Sequence, residues 1–263
     1  KGINMEGLRV LGNPDYFSES YYADGADEII YHDCVASLYE RKYLSKIIKN
    51  TAEKLFIPLC VGGGIKNIKD IKDILRCGAD RIFLNSAIIK NKNKLNESVK
   101  KFGSSTIAVG IEANLIDGKY FCFYDYGREP SKKLVTDWCK EVQDLGAGEL
   151  MITSIKNEGT GKGFDFKLID KIYNSINVPL IVNGGAGNSN HILEVLKIDK
   201  ISGVSLSSIL HYSKIREDKF KYKSNNEGNT IFLNSKEKNE EFEKINIKKI
   251  KKYLLTNKIL VRE

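Results

Sequence analysis

Short apolar runs alternate along the chain with segments whose apolar residues recur at helical spacing. The apolar runs predict seven strands: Glu28–His32, Leu59–Val61, Arg81–Asn85, Thr106–Glu112, Glu149–Ser154, Leu180–Asn183 and Gly203–Leu206. The intervening segments predict helices: Pro14–Asp24, Leu44–Leu55, Ile68–Cys77, Leu95–Phe102, Val135–Leu145, Phe166–Ile176 and His191–Leu196. Such regular alternation is typical of βαβ units with parallel strands.

One strand-and-loop pattern occurs twice. Residues 57–65 read Ile-Pro-Leu-Cys-Val-Gly-Gly-Gly-Ile, and residues 178–187 read Val-Pro-Leu-Ile-Val-Asn-Gly-Gly-Ala-Gly. The repetition predicts a fold of two similar halves. Glycine loops that follow strands bring backbone N–H groups close to a ligand, and the next helix N-terminus favours an anion. Glycines also serve tight packing, but two copies at matching places favour two phosphate sites.

The pattern as a whole predicts an α/β fold, a (β/α)8 barrel built by half-barrel duplication. Barrels of this kind often reach 263 residues as one domain, so we expect a single domain over residues 1–263. A closed barrel needs an eighth strand, which we expect upstream of Lys1. Asp117-Gly118 predicts a β-hairpin after the strand ending at Glu112. Residues 214–243 are polar and predict an inserted surface segment, with a helix at Ile245–Leu255 after it.

Three strands begin with a charged residue after a Gly-Ala-Asp or Gly-Ala-Gly turn. These residues are Glu28, Arg81 and Glu149. Each could be an ordinary hydrated strand end. Alternatively, equivalent positions in a barrel would bring them together as a charged ring at the N-terminal end of the strands.

Polar residues follow the other ends of the strands, where the active sites of barrels lie. They are Asp33, Asn85, Glu112, Thr153, Ser154, Glu158 and Asn183. Asn85-Ser86 and Ser207-Ser208 are expected beside the two glycine loops. A carboxylate that ends an apolar strand, as Asp33 and Glu112 do, is either a helix cap or loop charge or a group placed for proton transfer.

Composition excludes several classes of function. The net charge is +8, but no basic stripe is interleaved with aromatic residues, so no nucleic-acid partner is expected. No apolar run approaches the roughly 18 residues of a membrane span, and no signal peptide is visible. The five cysteines form no CxxC pair, and the three histidines lack ligand spacing. We therefore expect a cytoplasmic protein with reduced thiols, no metal site, no cofactor and no membrane partner.

These motifs resemble those of the HisF family, the cyclase subunits of imidazole glycerol phosphate synthase. The most specific matches, in order, are Val61-Gly62-Gly63-Gly64-Ile65, Gly146-Ala147-Gly148-Glu149 and Gly184-Gly185-Ala186-Gly187. Shorter ones are Lys1-Gly2, Asp27-Glu28, Ala36-Ser37, Gly78-Ala79-Asp80, Thr153-Ser154 and Gly159-Thr160. The resemblance runs from Lys1 to His211 and resumes near Ile245.

The resemblance implies a lyase of histidine biosynthesis that uses ammonia and a substrate with two phosphate groups. A glutaminase would bind at the N-terminal face of the barrel as a heterodimer and supply ammonia through it. By resemblance, Gly64, Asn85 and Ser86 contact one phosphate, and Gly159, Gly185 and Ser208 the other. Asp33, Thr153 and Glu158 would also bind substrate, and Glu112 would be catalytic. Glu28, Arg81 and Glu149 would form the ammonia gate.

Two departures from the family pattern leave a second hypothesis open. Of the family's two acid-base aspartates, one would lie on the first strand upstream of Lys1, and the other is Glu112 here. The change moves the carboxylate by roughly 1.5 Å, and an error of about 1 Å can lower a rate about a hundredfold. The family serine before the second glycine loop is Asn183. These changes resemble a paralogous branch that conducts ammonia to an N-acetyl sugar amidotransferase of lipopolysaccharide and other surface glycans. A third hypothesis, an isomerase of the preceding histidine-pathway step, is disfavoured by Glu28, Glu149 and the hairpin.

Overall fold

The computed structural model of the chain describes residues 3–6, 10–34, 45–216 and 242–262. Several of the matches above, Lys1-Gly2 and Ala36-Ser37, lie outside the described residues. Most of the predicted surface segment, at 217–241, also lies outside them.

Seven parallel strands form one curved sheet, and this confirms the predicted barrel-type α/β fold. The strands are β1 (Ile29–His32), β2 (Leu59–Gly62), β3 (Arg81–Leu84), β4 (Ile107–Ile116), β7 (Glu149–Ser154), β8 (Leu180–Asn183) and β9 (Ile201–Ser205). They are neighbours in that order, and every adjacent pair is parallel. Within the described part of the chain, β1 and β9 are the two outer strands of the sheet.

Helices follow the strands as the hydrophobic pattern predicts. They are α1 (Pro14–Ala23), α2 (Ser45–Ala52), α3 (Ile68–Arg76), α4 (Ser86–Lys90), α5 (Asn93–Phe102), α6 (Val135–Asp144), α7 (Phe166–Tyr173), α8 (Ser189–Leu196), α9 (Ser208–Ile215) and α10 (Ile247–Thr256). The sequence did not predict α4 and α9. With five residues, α4 is too short to show a period, and α9 begins in a run of serines. No helix of the described residues is long and apolar enough to cross a membrane.

A β-hairpin extends the sheet beyond the C-terminal end of β4. As predicted, β4 turns at Asp117-Gly118, where both residues have positive φ angles of 47° and 76°, and runs back as β5 (Lys119–Tyr124). A further strand, β6 (Glu129–Leu134), pairs with β5. The sequence did not predict β6, because Glu-Pro-Ser-Lys-Lys-Leu has no apolar alternation. The hairpin places the turn between β5 and β6 near the C-terminal ends of β3 and β4.

Two apolar layers hold the sheet. Alternate strand residues point outward and pack against the helices, among them Ile82, Ile107, Val109, Leu150 and Val182. The inner layer consists of Cys60, Phe83, Ala108 and Met151, with Ile30 and Ile181 packed against them.

Phe83 is the one bulky aromatic side chain of the inner layer, and two glycines make room for it. A Cβ on Gly110 would lie 2.2 Å from the ring, and one on Gly62 would lie 2.9 Å from Phe83 atoms. A cavity of about 1,080 Å³ lies along the inner face of the sheet, and residues of α1, α9 and α10 also line it.

Candidate functional site

Most of the predicted polar residues line one end or the other of this cavity. At the C-terminal end of the strands its wall contains Asn85, Glu112, Thr153, Glu158, Asn183 and Ser208, and at the N-terminal end Glu28 and Glu149. Parallel register explains the grouping, because it aligns Glu112 with Thr153 and Thr153 with Asn183. The two ends are about 13 Å apart, since Ala108 is opposite Glu149 and Glu112 lies four residues farther along β4.

Glu112 is a buried carboxylate on the wall of the cavity. It is only 5% exposed, and its Oε2 accepts a hydrogen bond of 2.8 Å from the backbone N–H of Gly127. The donor comes from the turn between β5 and β6. The hairpin therefore orients the carboxylate that the sequence singled out as the candidate acid or base.

A second carboxylate, Glu158, lies on the cavity wall in the loop after β7, the strand next to β4. Its Oε2 accepts a hydrogen bond of 3.2 Å from the side-chain amide of Asn183, which also donates to Thr153 Oγ1 at 3.1 Å. A Cβ on Gly184 would lie 3.2 Å from Glu158 Oε2. Asn183, the departure from the family pattern, thus joins two of the predicted binding residues, which a shorter serine side chain could not do in the same way.

The first glycine loop packs closely against the end of β1. Gly63 has a φ of 94°, and a Cβ there would lie 2.3 Å from the carbonyl oxygen of Asp33, so only glycine fits. Gly64, Asn85 and Ser86 surround a small cavity of about 30 Å³ with Glu112. The Oδ1 of Asn85 is buried and has no hydrogen-bond partner among the described residues.

The second glycine loop is packed differently. Gly185 has a φ of 106°, and a Cβ there would lie 2.0 Å from the carbonyl oxygen of Gly163. The carbonyl of Gly185 accepts a hydrogen bond of 2.7 Å from the N–H of Gly163. Gly159 and Gly185 are buried and do not line the large cavity, whereas Ser208, at the start of α9, does. These two glycines would therefore reach a ligand in the cavity only if the 157–163 loop, which contains Gly159, moved.

At the N-terminal end of the strands, Glu28, Arg81 and Glu149 form an ion-paired cluster. Arg81 Nη1 lies 3.2 Å from Glu28 Oε2 and 2.9 Å from Glu149 Oε1, and Arg81 Nε donates to the carbonyl of Ser105 at 3.2 Å. Burial raises the pKa of Glu28, and Arg81 offsets this only in part. Burial acts to lower the pKa of Arg81, but the Glu149 and Glu28 carboxylates outweigh it and raise that pKa. Arg81 is thus ion-paired with two carboxylates, Glu28 and Glu149, that line this end of the cavity.

The sequence missed the residues of the turn between β5 and β6. Tyr126 is 5% exposed, and its hydroxyl donates a hydrogen bond of 2.9 Å to the carbonyl of Asp33. Burial, together with the nearby Cys34 and Glu112, raises the pKa of Tyr126, so its hydroxyl stays protonated as a donor. The only feature of the sequence that marks this turn is Gly127 after Asp125 and Tyr126. Such a pattern is too common to indicate a functional site.

Another set of contacts ties the hairpin to the loop that contains Glu158. Ser154 Oγ donates to Asp165 Oδ2 at 2.9 Å, and the Tyr120 hydroxyl donates to Asp165 Oδ1 at 3.1 Å. Burial and Asp165 raise the pKa of Tyr120 to about 12. No group of three or more His, Cys, Asp or Glu residues in the described part of the chain could hold a metal ion, and the five cysteines form no disulfides.

A family model and individual proteins that match the chain all belong to histidine biosynthesis. Residues 1–216 match the family described as "Histidine biosynthesis protein". The chain is 46% identical over 188 residues to the imidazole glycerol phosphate synthase subunit HisF of Legionella pneumophila, covering 71% of this chain and 89% of that one. Subunits of the same name from Bacillus cereus strain G9842 and Thermococcus onnurineus are 38% and 37% identical over 215 residues, covering 81% of this chain and 85% and 84% of theirs.

Proposed function

The chain belongs to the HisF family, and from that premise we propose that it is the cyclase-type lyase subunit of an imidazole glycerol phosphate synthase. In this function it would join ammonia to a substrate with two phosphate groups, in histidine biosynthesis. The relatives named above are all HisF subunits of that synthase, which favours this function over the sugar-amidation hypothesis. We further propose a single domain over residues 1–263 that works in the cytoplasm without a cofactor.

The proposal rests chiefly on the cavity, which has carboxylates at both ends and extends along the inside of the barrel. Ammonia from a glutaminase bound at the N-terminal face would enter at Glu28, Arg81 and Glu149. It would pass the small inner side chains of Cys60 and Ala108. The route is about 13 Å long and ends beside Glu112, and the cavity along it is wide enough for a molecule of the size of water.

Glu112 would act as the general acid or base at the end of the route. Glu112 is buried at the cavity wall, and positioned carboxylates contribute roughly 10²- to 10⁴-fold to rates. Thr153, beside Glu112 on the neighbouring strand β7, and Glu158, held by Asn183, would also contact the reacting part of the substrate.

The two phosphate groups would be bound by the two glycine loops. Gly64, Asn85 and Ser86 would bind one, and the unused Oδ1 of Asn85 points to a polar ligand there. Gly159, Gly185 and Ser208 would bind the other, which requires the 157–163 loop to open onto the cavity. Asp33, at the end of β1, would contact the substrate near the first phosphate.

Turnover of the family substrate with ammonium salt, measured on the full-length protein, tests this function. We expect a rate of roughly 1 s⁻¹ or more, and a loss of at least about a hundredfold in Glu112→Gln. Glu129→Gln removes the same charge at an exposed position of β6 and should leave the rate unchanged. Absence of turnover in the folded wild type would contradict the proposal.

A further inference from the structure

The turn between β5 and β6 folds back onto the ends of two barrel strands. We call its residues Asp125, Tyr126 and Gly127 the hairpin tip. The backbone N–H of Asp125 donates to Ser86 Oγ at 2.9 Å, and that of Gly127 donates to Glu112 Oε2 at 2.8 Å. The hairpin tip therefore engages a proposed phosphate contact and the proposed acid or base at the same time.

The ring of Tyr126 fills the space in front of the first glycine loop. Its hydroxyl reaches the carbonyl of Asp33 at 2.9 Å, and its ring centroid lies 4.9 Å from that of His32. The cavity left between the ring, Gly63 and Gly64 is about 30 Å³, room for about two water molecules at most. While the ring stays in place, a phosphate group would enter this space only in part.

The backbone of the hairpin tip is in an unfavourable conformation. Asp125, Tyr126 and Gly127 all have positive φ angles, of 48°, 68° and 69°. Residues with a side chain rarely adopt this region, and two in succession must be held by their surroundings. The hydrogen bonds to Ser86 and Glu112 supply that hold, so the conformation depends on contacts that a ligand would replace.

The Asp125 carboxylate of the hairpin tip carries the same sign of charge as a phosphate group and would compete with it. Asp125 Oδ2 is ion-paired with Lys90 of α4 at 2.8 Å, while its Oδ1 is buried without a hydrogen-bond partner among the described residues. A bound phosphate group would accept a hydrogen bond from the Ser86 hydroxyl and would pair with the Lys90 ammonium group. It would also repel the Asp125 carboxylate.

We propose that the hairpin tip is an autoinhibitory stopper that occupies the first phosphate site and holds Glu112 until a phosphorylated substrate displaces it. Phosphate binding then releases Glu112 from Gly127, which confines acid-base chemistry to the substrate-bound state. The inference rests on the proposed function, because it assumes that the first glycine loop takes a phosphate group. Phosphate would bind only those molecules in which the hairpin tip is displaced. The apparent affinity for phosphate would therefore equal the intrinsic affinity multiplied by the fraction of such molecules.

Calorimetric titration of the full-length protein with inorganic phosphate measures that effect. In Asp125→Asn the stopper loses its ion pair with Lys90, and we expect roughly fivefold or greater tightening. Asp117→Asn removes the same charge from the exposed turn at the opposite end of β5 and should leave the affinity unchanged. Equal affinities in wild type and Asp125→Asn, or equal tightening in both variants, would overturn the inference.

Hydrogen exchange of the wild type separates displacement from simple charge removal. On addition of inorganic phosphate, the amides of Asp125 and Gly127 should exchange faster while those of Gly63 and Gly64 exchange more slowly. Protection at the glycine loops with unchanged or slower exchange at the hairpin tip would overturn the stopper and leave the proposed function standing. Protection at neither the first glycine loop nor Gly185 would count against the proposed function itself, and the stopper would fall with it.

Discussion

Replacing Arg81 by methionine tests the ion-paired cluster at the N-terminal end of the barrel. The substitution keeps an apolar stem of similar length and removes the guanidinium that lies 3.2 Å from Glu28 and 2.9 Å from Glu149. It also leaves the carbonyl of Ser105 without this donor. Two carboxylates would then face each other in a partly buried site with no cation between them.

The expected loss follows from the burial of the three side chains. Removing one partner from a fully buried ion pair costs roughly 3–5 kcal/mol. The side chains of Arg81, Glu28 and Glu149 keep 18%, 28% and 18% of their exposure, so solvent screening reduces the loss. We expect the free energy of unfolding to fall by about 2 kcal/mol at pH 7.

The loss should shrink in acid, because the pKa of Glu28 is already raised above its usual value of 4.5 by burial. Arg81 is the main group that lowers that pKa, so the variant's Glu28 has a higher pKa still. A carboxyl group with a raised pKa in the folded state binds a proton there before it does in the unfolded chain. Stability is therefore regained as the pH falls from the raised pKa towards 4.5.

Urea unfolding at pH 7 and pH 5 measures both effects. Arg76→Met is the matched control, since it makes the same change at an exposed position of α3 and should alter the free energy of unfolding by less than about 0.5 kcal/mol. A free energy of unfolding of Arg81→Met equal to that of the control would contradict a stabilising function of the cluster. An equal loss of free energy at pH 7 and pH 5 would contradict the assigned part of Glu28.

Two further predictions concern the interior. Burial lowers the pKa of His211 to about 4, so the folded state favours the neutral imidazole and the wild type loses stability as the pH falls below 6.5. His211→Phe removes this group and its bond to the Tyr21 hydroxyl. In urea unfolding, the free energy of unfolding of the variant should fall by about 2 kcal/mol less than that of the wild type between pH 7 and pH 5. Gly110→Ala should lower the free energy of unfolding by roughly 1–3 kcal/mol, because the new Cβ meets the Phe83 ring at 2.2 Å. Gly203→Ala, whose Cβ would meet only the flexible end of a side chain at 3.1 Å, should cost less in the same assay.

The sequence predicted the barrel because local periodicity and strand ends carry that information. Glu28, Arg81 and Glu149 occupy equivalent strand starts, and parallel register then brings them together. The hairpin turn at Asp117-Gly118 was predicted from its dipeptide.

The hairpin tip was not predictable, because its contacts join residues far apart in the chain. The hydroxyl of Tyr126 reaches a residue 93 positions away, and the N–H of Asp125 one 39 positions away. No local pattern encodes such contacts. The function of Asn183 as a link between Thr153 and Glu158 was hidden for the same reason, since three separate segments must meet before its amide has partners.

We propose that ammonia enters at Arg81 and reacts beside Glu112. The most direct test of this claim is the ratio of product formed to glutamine hydrolysed by the full-length protein with a glutaminase subunit of the same synthase. We predict a ratio near one for the wild type and a clear fall in Arg81→Met, with the ammonium-driven rate retained. An unchanged ratio in folded Arg81→Met would contradict the claim.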